Sequence, residues 1–134
     1  MRKLLFALFI APVISFAQEN PREFSYTEGD TTYTMKQYFI CFLNKGPNRD
    51  TSDSLAVAKI QKGHLAHLDS LANEGKIHIV GPMGDDGDIR GIVVFDVATK
   101  EEALALEGAD PAVKAGRLVM EVHPWWTAKG SCLR

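Results

Sequence analysis

The chain is 134 residues long, with 46% hydrophobic and 24% charged residues, enough apolar content for one globular domain and too little length for two. Its formal net charge is −2 and its lysines and arginines form no cluster, which argues against nucleic acid as a partner.

The N-terminus reads as an export signal. Arg2 and Lys3 precede an apolar run over residues 4–14, and Ser15-Phe16-Ala17 follows with small residues at the positions a signal peptidase reads. The run is shorter than the roughly 20 apolar residues a membrane-spanning helix needs. Cleavage after Ala17 would leave a mature chain starting at Gln18, with 13 bases against 17 acids and a net charge of −4. That chain has no further membrane-span candidate and is expected in the periplasm or outside the cell. An oxidising compartment permits a bridge between Cys41 and Cys132, but spacing alone does not fix the pairing. Cys41 lies inside an apolar run and reads equally well as a buried thiol.

Residues 18–35 are polar, show no clear period, and read as a leader with some order near Tyr33. The domain proper is expected over residues 36–127, with a short tail over 128–134. Its first strand covers residues 37–44, apolar on both faces, and Lys45-Gly46-Pro47-Asn48 ends it. A long helix over residues 54–74 follows, with Thr51, Ser52 and Asp53 as candidate caps and Gly75 as its stop. Val57, Ile60, His64, Leu68 and Leu71 recur on one face of it at spacings of three and four. Residues 77–80 form a second strand, residues 81–88 a turn-rich loop, and residues 89–97 a third strand. Thr99 and Glu102 make a capping box for a second helix over residues 101–107. Asp110-Pro111 opens a further helical turn, and a fourth strand over residues 118–123 stops at Pro124. The order βαββαβ is that of the α+β ferredoxin-like fold, which carries both helices on one sheet face. The other face would also be apolar, so a homodimer packed sheet on sheet is expected.

His64 interrupts an apolar stripe where a plain core would carry leucine. The simpler reading is a buried histidine with a hydrogen-bond partner; the sharper one is a general acid or base with a pKa near neutrality. Asp110 before Pro111 is a common helix start, aspartate as cap and proline in the first turn. The two roles are compatible, because one carboxylate oxygen can cap the turn while the other holds His64. His67, three residues after His64, lacks the further ligands a zinc site needs. Asp85, Asp86 and Asp88 do not follow the calcium-loop pattern. Gly81, Pro82 and Met83 could let backbone approach a ligand, and Trp125 and Trp126 could fill an interface or line a pocket. No nucleotide fingerprint, phosphate loop or activated nucleophile is present, so neither cofactor nor metal is expected.

Five motifs occur in order: GHLAHLDSLANEGKI from Gly63, VGPMG from Val80, EEAL from Glu101, ADPAVKAGRL from Ala109, and EVHPWW from Glu121. Together, over about residues 37–126, they resemble the YCII-related domain family. The resemblance implies a ferredoxin-like fold in a dimeric α/β barrel, similar to that of muconolactone isomerase. It also implies an active-site histidine and aspartate, which by motif are His64 and Asp110. The function expected on this basis is acid-base chemistry of isomerase or lyase type on a small organic molecule, with Gly81, Pro82, Met83 and Trp125 contacting substrate. The alternative is a non-catalytic ligand-binding or sensing dimer in the cell envelope. The signal peptide and the TAKGSCLR tail set this chain apart from the family's common form.

Overall fold

The computed structural model describes residues 22–49, 52–131 and 133. The signal-peptide reading and Cys132 fall outside this set. Eight elements follow one another: β1 (Glu23–Glu28), β2 (Thr31–Lys45), α1 (Ser54–Asn73), β3 (Ile77–Pro82), β4 (Ile89–Phe95), α2 (Lys100–Gly108), α3 (Pro111–Lys114) and β5 (Leu118–Ala128). All strand pairs are antiparallel. β2 lies between β4 and β5, and β3 pairs with the far side of β4. The four strands from β2 onward therefore run β3-β4-β2-β5 across the sheet, the ferredoxin-like order.

Strand alternation sorts the core. Phe39, Cys41 and Leu43 of β2, Val93 and Phe95 of β4, and Val122 of β5 are buried in one cluster with Leu68 and Leu71 of α1 and Ala103 of α2. The stripe expected on α1 is thus the face that meets the sheet. Caps fix the helix starts: Asp53 accepts the Ala56 amide at 3.0 Å, and Thr99 accepts the Glu102 amide at 3.1 Å. The opposite sheet face presents Tyr38, Ile40 and Phe42 of β2 beside Ile92 and Val94 of β4 and Val119 and Trp125 of β5. Val119 and Trp125 there remain 47% and 37% exposed.

Two boundaries differ from the sequence reading. The supposed leader is a β-hairpin, with Glu23 to Glu28 paired to Lys36 back to Thr31. Its signal is a period of two: Phe24 and Tyr26, then Tyr33 and Met35, alternate with Ser25, Thr27, Thr32 and Thr34 around Gly29-Asp30. A two-residue loop with glycine first, here at φ +59°, is a standard hairpin turn. β5, in turn, does not stop at Pro124 but continues to Ala128. It lies on the sheet edge, where a proline without an N–H is tolerated.

Candidate active site

α1 and α3 meet because Gly63 lets them. A Cβ on Gly63 would lie 3.1 Å from the Pro111 ring, so only glycine allows this approach without displacement. The next residue of α1 is His64, and the residue before Pro111 is Asp110. Their side chains form a bond of 2.6 Å between His64 Nδ1 and Asp110 Oδ2. The other carboxylate oxygen, Oδ1, accepts the Ala112 amide at 2.6 Å and so caps α3.

Burial sharpens this pair. The Asp110 side chain is wholly enclosed, while that of His64 keeps 12% of its surface open. The hydrogen bond to Asp110 raises the pKa of His64 above its ordinary value, against the opposing effect of burial. For Asp110, burial pushes the carboxyl up, but the bonds from His64 and the Ala112 amide outweigh it and hold the pKa below normal. With Nδ1 committed to the carboxylate, Nε2 is the nitrogen left to exchange a proton with a ligand.

His64 lines a cavity of about 440 Å³ between α1 and the β3–β4 edge. Ile60, Leu65 and Leu68 of α1 line it together with Val80 and Pro82 of β3. Gly81 and Pro82 therefore sit with His64. Met83 is not in the lining; its amide donates to the Arg90 carbonyl at 2.9 Å. Trp125 lies apart, in a second cavity of about 720 Å³ that includes Tyr38, His78 and Val94, because its position in β5 puts it on the face away from α1.

The remaining histidines have structural partners. His67 Nε2 is 3.0 Å from the Leu106 carbonyl and ties α1 to α2. His78 bonds Asp96, and His123 bonds Glu121. Among the described residues, no group of three or more histidine, cysteine or acidic side chains is placed to hold a metal ion. Cys41 is fully buried, and burial together with the charge of Glu107 pushes its thiol up to about 12. A thiol so hard to ionise is a poor nucleophile.

Glu107 of α2 escaped the sequence reading. It is completely buried, and neither carboxylate oxygen has a hydrogen-bond partner among the described residues. Burial and the neighbouring Asp110 raise its pKa to about 7, with His64 opposing. Position could have flagged it. Ala103 and Glu107 are four residues apart on a helix, so they share a face, and that face is the buried one.

These features belong to a known class. Residues 38–126 match the model of the YCII-related domain, and the chain belongs to that family. Among solved structures it is similar to the 5-chloro-2-hydroxyhydroquinone dehydrochlorinase TftG from Burkholderia phenoliruptrix AC1100, in complex with 2,5-dihydroxybenzoquinone. The identity is 27%, over 66% of this chain and 92% of that one, with a TM-score of 0.48. No curated protein matches the sequence.

Proposed function

We propose that this protein is a small enzyme that moves a proton on a small organic molecule through His64, in chemistry of isomerase or lyase type. The observation that carries the reading is the 2.6 Å His64–Asp110 bond at the wall of an apolar cavity. His64 Nε2 would take a proton from a carbon acid, and Asp110 would stabilise the imidazolium that forms. Returning that proton to a different atom completes an isomerisation; loss of a leaving group from the adjacent carbon completes an elimination. The raised pKa of His64 keeps it protonated further up the pH scale than a free imidazole, so turnover that needs the neutral base should climb as pH rises through that value.

The same proposal includes two further parts. The apolar face of Ile40, Phe42, Ile92 and Val94 supports a homodimer packed sheet on sheet, which sedimentation would reveal as a dimer at micromolar concentration. The N-terminal charge and apolar pattern supports export to the periplasm or beyond, and a secreted product beginning at Gln18 would be its mark. Among the described residues no helix is long and apolar enough to cross a membrane.

The decisive variant is Asp110→Asn. Asparagine can still cap α3. Its amide, however, donates to His64 Nδ1 where the carboxylate accepted, which drives the imidazole proton to Nε2 and disables the base. A screen of small carbonyl compounds for turnover identifies a substrate; on it, Asp110→Asn and His64→Ala should each lose about 10²–10⁴-fold in kcat at a nearly unchanged Tm. Full turnover in a folded Asp110→Asn protein removes the pair from the chemistry. Ligand binding without turnover, indifferent to His64→Ala, replaces the enzyme with a binding or sensing protein.

A further inference from the structure

Glu107 is the buried acid that the chemistry of His64 and Asp110 leaves unused. Its side chain is wholly enclosed, and neither oxygen has a partner among the described residues. An ionised carboxylate in that place would carry a full charge with no donor to bond it, so the site favours the protonated acid.

Its position ties it to the His64–Asp110 pair from two sides. The Glu107 carbonyl accepts the Asp110 amide at 3.0 Å, which puts the two acids on one turn of chain. His67 Nε2 is 3.0 Å from the Leu106 carbonyl, and His67 stands one helical turn after His64. That bond sets the part of α1 that carries His64 against the end of α2 that carries Glu107. Cys41 of β2 also acts on Glu107, but burial and Glu107 itself push its thiol up to about 12, so it stays neutral. The other charged groups nearby are turned elsewhere. Glu121 and His123 of β5 pair with each other on the far face of the sheet. Lys114 of α3 and Lys62 and Asp69 of α1 are exposed. Glu102, earlier on α2, pairs with Lys76. The field at Glu107 therefore comes from Asp110, which raises its pKa, and His64, which lowers it. Glu107 in turn raises the pKa of His64.

We propose that Glu107 is a positioning residue for the catalytic proton: it shares one proton with His64 and holds that proton while His64 stands as the free base. The proposal rests on the reading of His64 as the base and adds how that base is regulated. With Asp110 ionised, removing the proton from both His64 and Glu107 would leave two negative charges in one buried cluster, which is the costliest state. With the proton on Glu107, His64 Nε2 is free to accept one from a carbon acid, and the cluster then becomes neutral. With the proton on His64 and Glu107 ionised, the base is already occupied. Glutamine copies the protonated acid permanently, so it fixes the cluster in the base-competent form.

The experiment is a pH titration of the full chain by NMR that follows the His64 ring and the Glu107 carboxyl carbon in one sample. The His64 signals should move in two steps, one of them coincident with the Glu107 step, because coupled groups titrate as a pair. In Glu107→Gln, His64 should titrate in a single step and at lower pH. On a substrate, the acid limb of the kcat/KM profile should move to lower pH as well, which a mere packing defect would not produce. Independent single-step curves in the wild-type protein overturn the proposal. So does a His64 curve that Glu107→Gln leaves in place or moves to higher pH. The wild-type curves decide the matter even where the variant fails to fold. The two readings fail separately. Coupled curves in a protein that turns over nothing sink the enzyme and keep the shared proton; turnover through His64 with independent curves does the reverse.

Discussion

Asp96 and Glu107 are both acids removed from most of the solvent, and they end in opposite states. Asp96, just past β4, keeps 16% of its side-chain surface exposed and is gripped by two cations, Lys36 at 2.5 Å and Arg22 at 3.2 Å, and by the His78 ring at 3.0 Å. Burial pushes its carboxyl up, yet the three bonds together hold it at about 2. Glu107, fully buried without a single partner, rises to about 7. Asp110 stands between them, with one imidazole and one amide as partners and a pKa somewhat below normal. Bonding to the charged form, not burial, decides which of these acids ionises. The fold uses the first arrangement to pin its N-terminal hairpin to the sheet. The second lies beside the candidate site, where Glu107 holds its proton up to about pH 7 while Asp110 stays ionised behind His64.

Glu107→Gln gives the largest test of that contrast. A carboxyl whose folded pKa is raised holds its proton longer than in the unfolded chain. Stability therefore falls as pH climbs from the ordinary value of 4.5 to about 7. The loss across that window is on the order of 3 kcal/mol. Glutamine has the same shape and no charge, so the variant should lack this slope, and its stability relative to wild type should improve by about that amount between pH 4 and pH 8. Urea unfolding at the two pH values measures it. Parallel profiles for the two proteins would mean that Glu107 is solvated or paired.

Asp96→Asn tests the other side. Here the folded pKa is depressed, so the stabilisation is present above pH 3.8 and disappears as pH falls through about 2. The variant should lose about 2 kcal/mol at pH 7, and its hairpin amides from Glu23 to Lys36 should exchange faster with solvent. Unchanged exchange in the hairpin would show that the strand pairing holds it without Asp96.

Gly63→Ala is the smallest and most local perturbation. Alanine gains about 1 kcal/mol of helix propensity over glycine, but its Cβ crowds the Pro111 ring and the two effects nearly cancel in stability. The crowding should part α1 from α3 and stretch the His64–Asp110 bond. The pKa of His64 should then fall toward its ordinary value, as NMR titration would show. A more stable variant with an unaltered His64 titration would mean that the Pro111 ring simply moves aside.

Much of this was legible beforehand. The element order follows from local patterns: the stripe of Val57, Ile60, His64, Leu68 and Leu71 on α1, the capping box at Thr99, and the two-faced apolar strands. Asp110-Pro111 announces a helix start by itself, and His64 stands out because a polar ring breaks an apolar stripe. The N-terminal hairpin was legible too, in the alternation around Gly29-Asp30, but its exposed polar partners made it resemble a leader.

The chain alone thus determined the order of the βαββαβ elements and two conspicuous polar residues, though not the N-terminal hairpin or the full length of β5, because caps, turns and periodicity act within a few residues. Only the tertiary structure decided what those residues meet. His64 and Asp110 are 46 positions apart and join because Gly63 admits Pro111. Trp125 and Gly81, both plausible ligand contacts in sequence, part company because the fold puts Gly81 at the β3–β4 edge beside His64 and Trp125 in a separate cavity with Tyr38 and His78. Glu107 looks like any surface glutamate until α2 docks and seals it from water. Charge and burial are properties of neighbours in space, and no local pattern carries them.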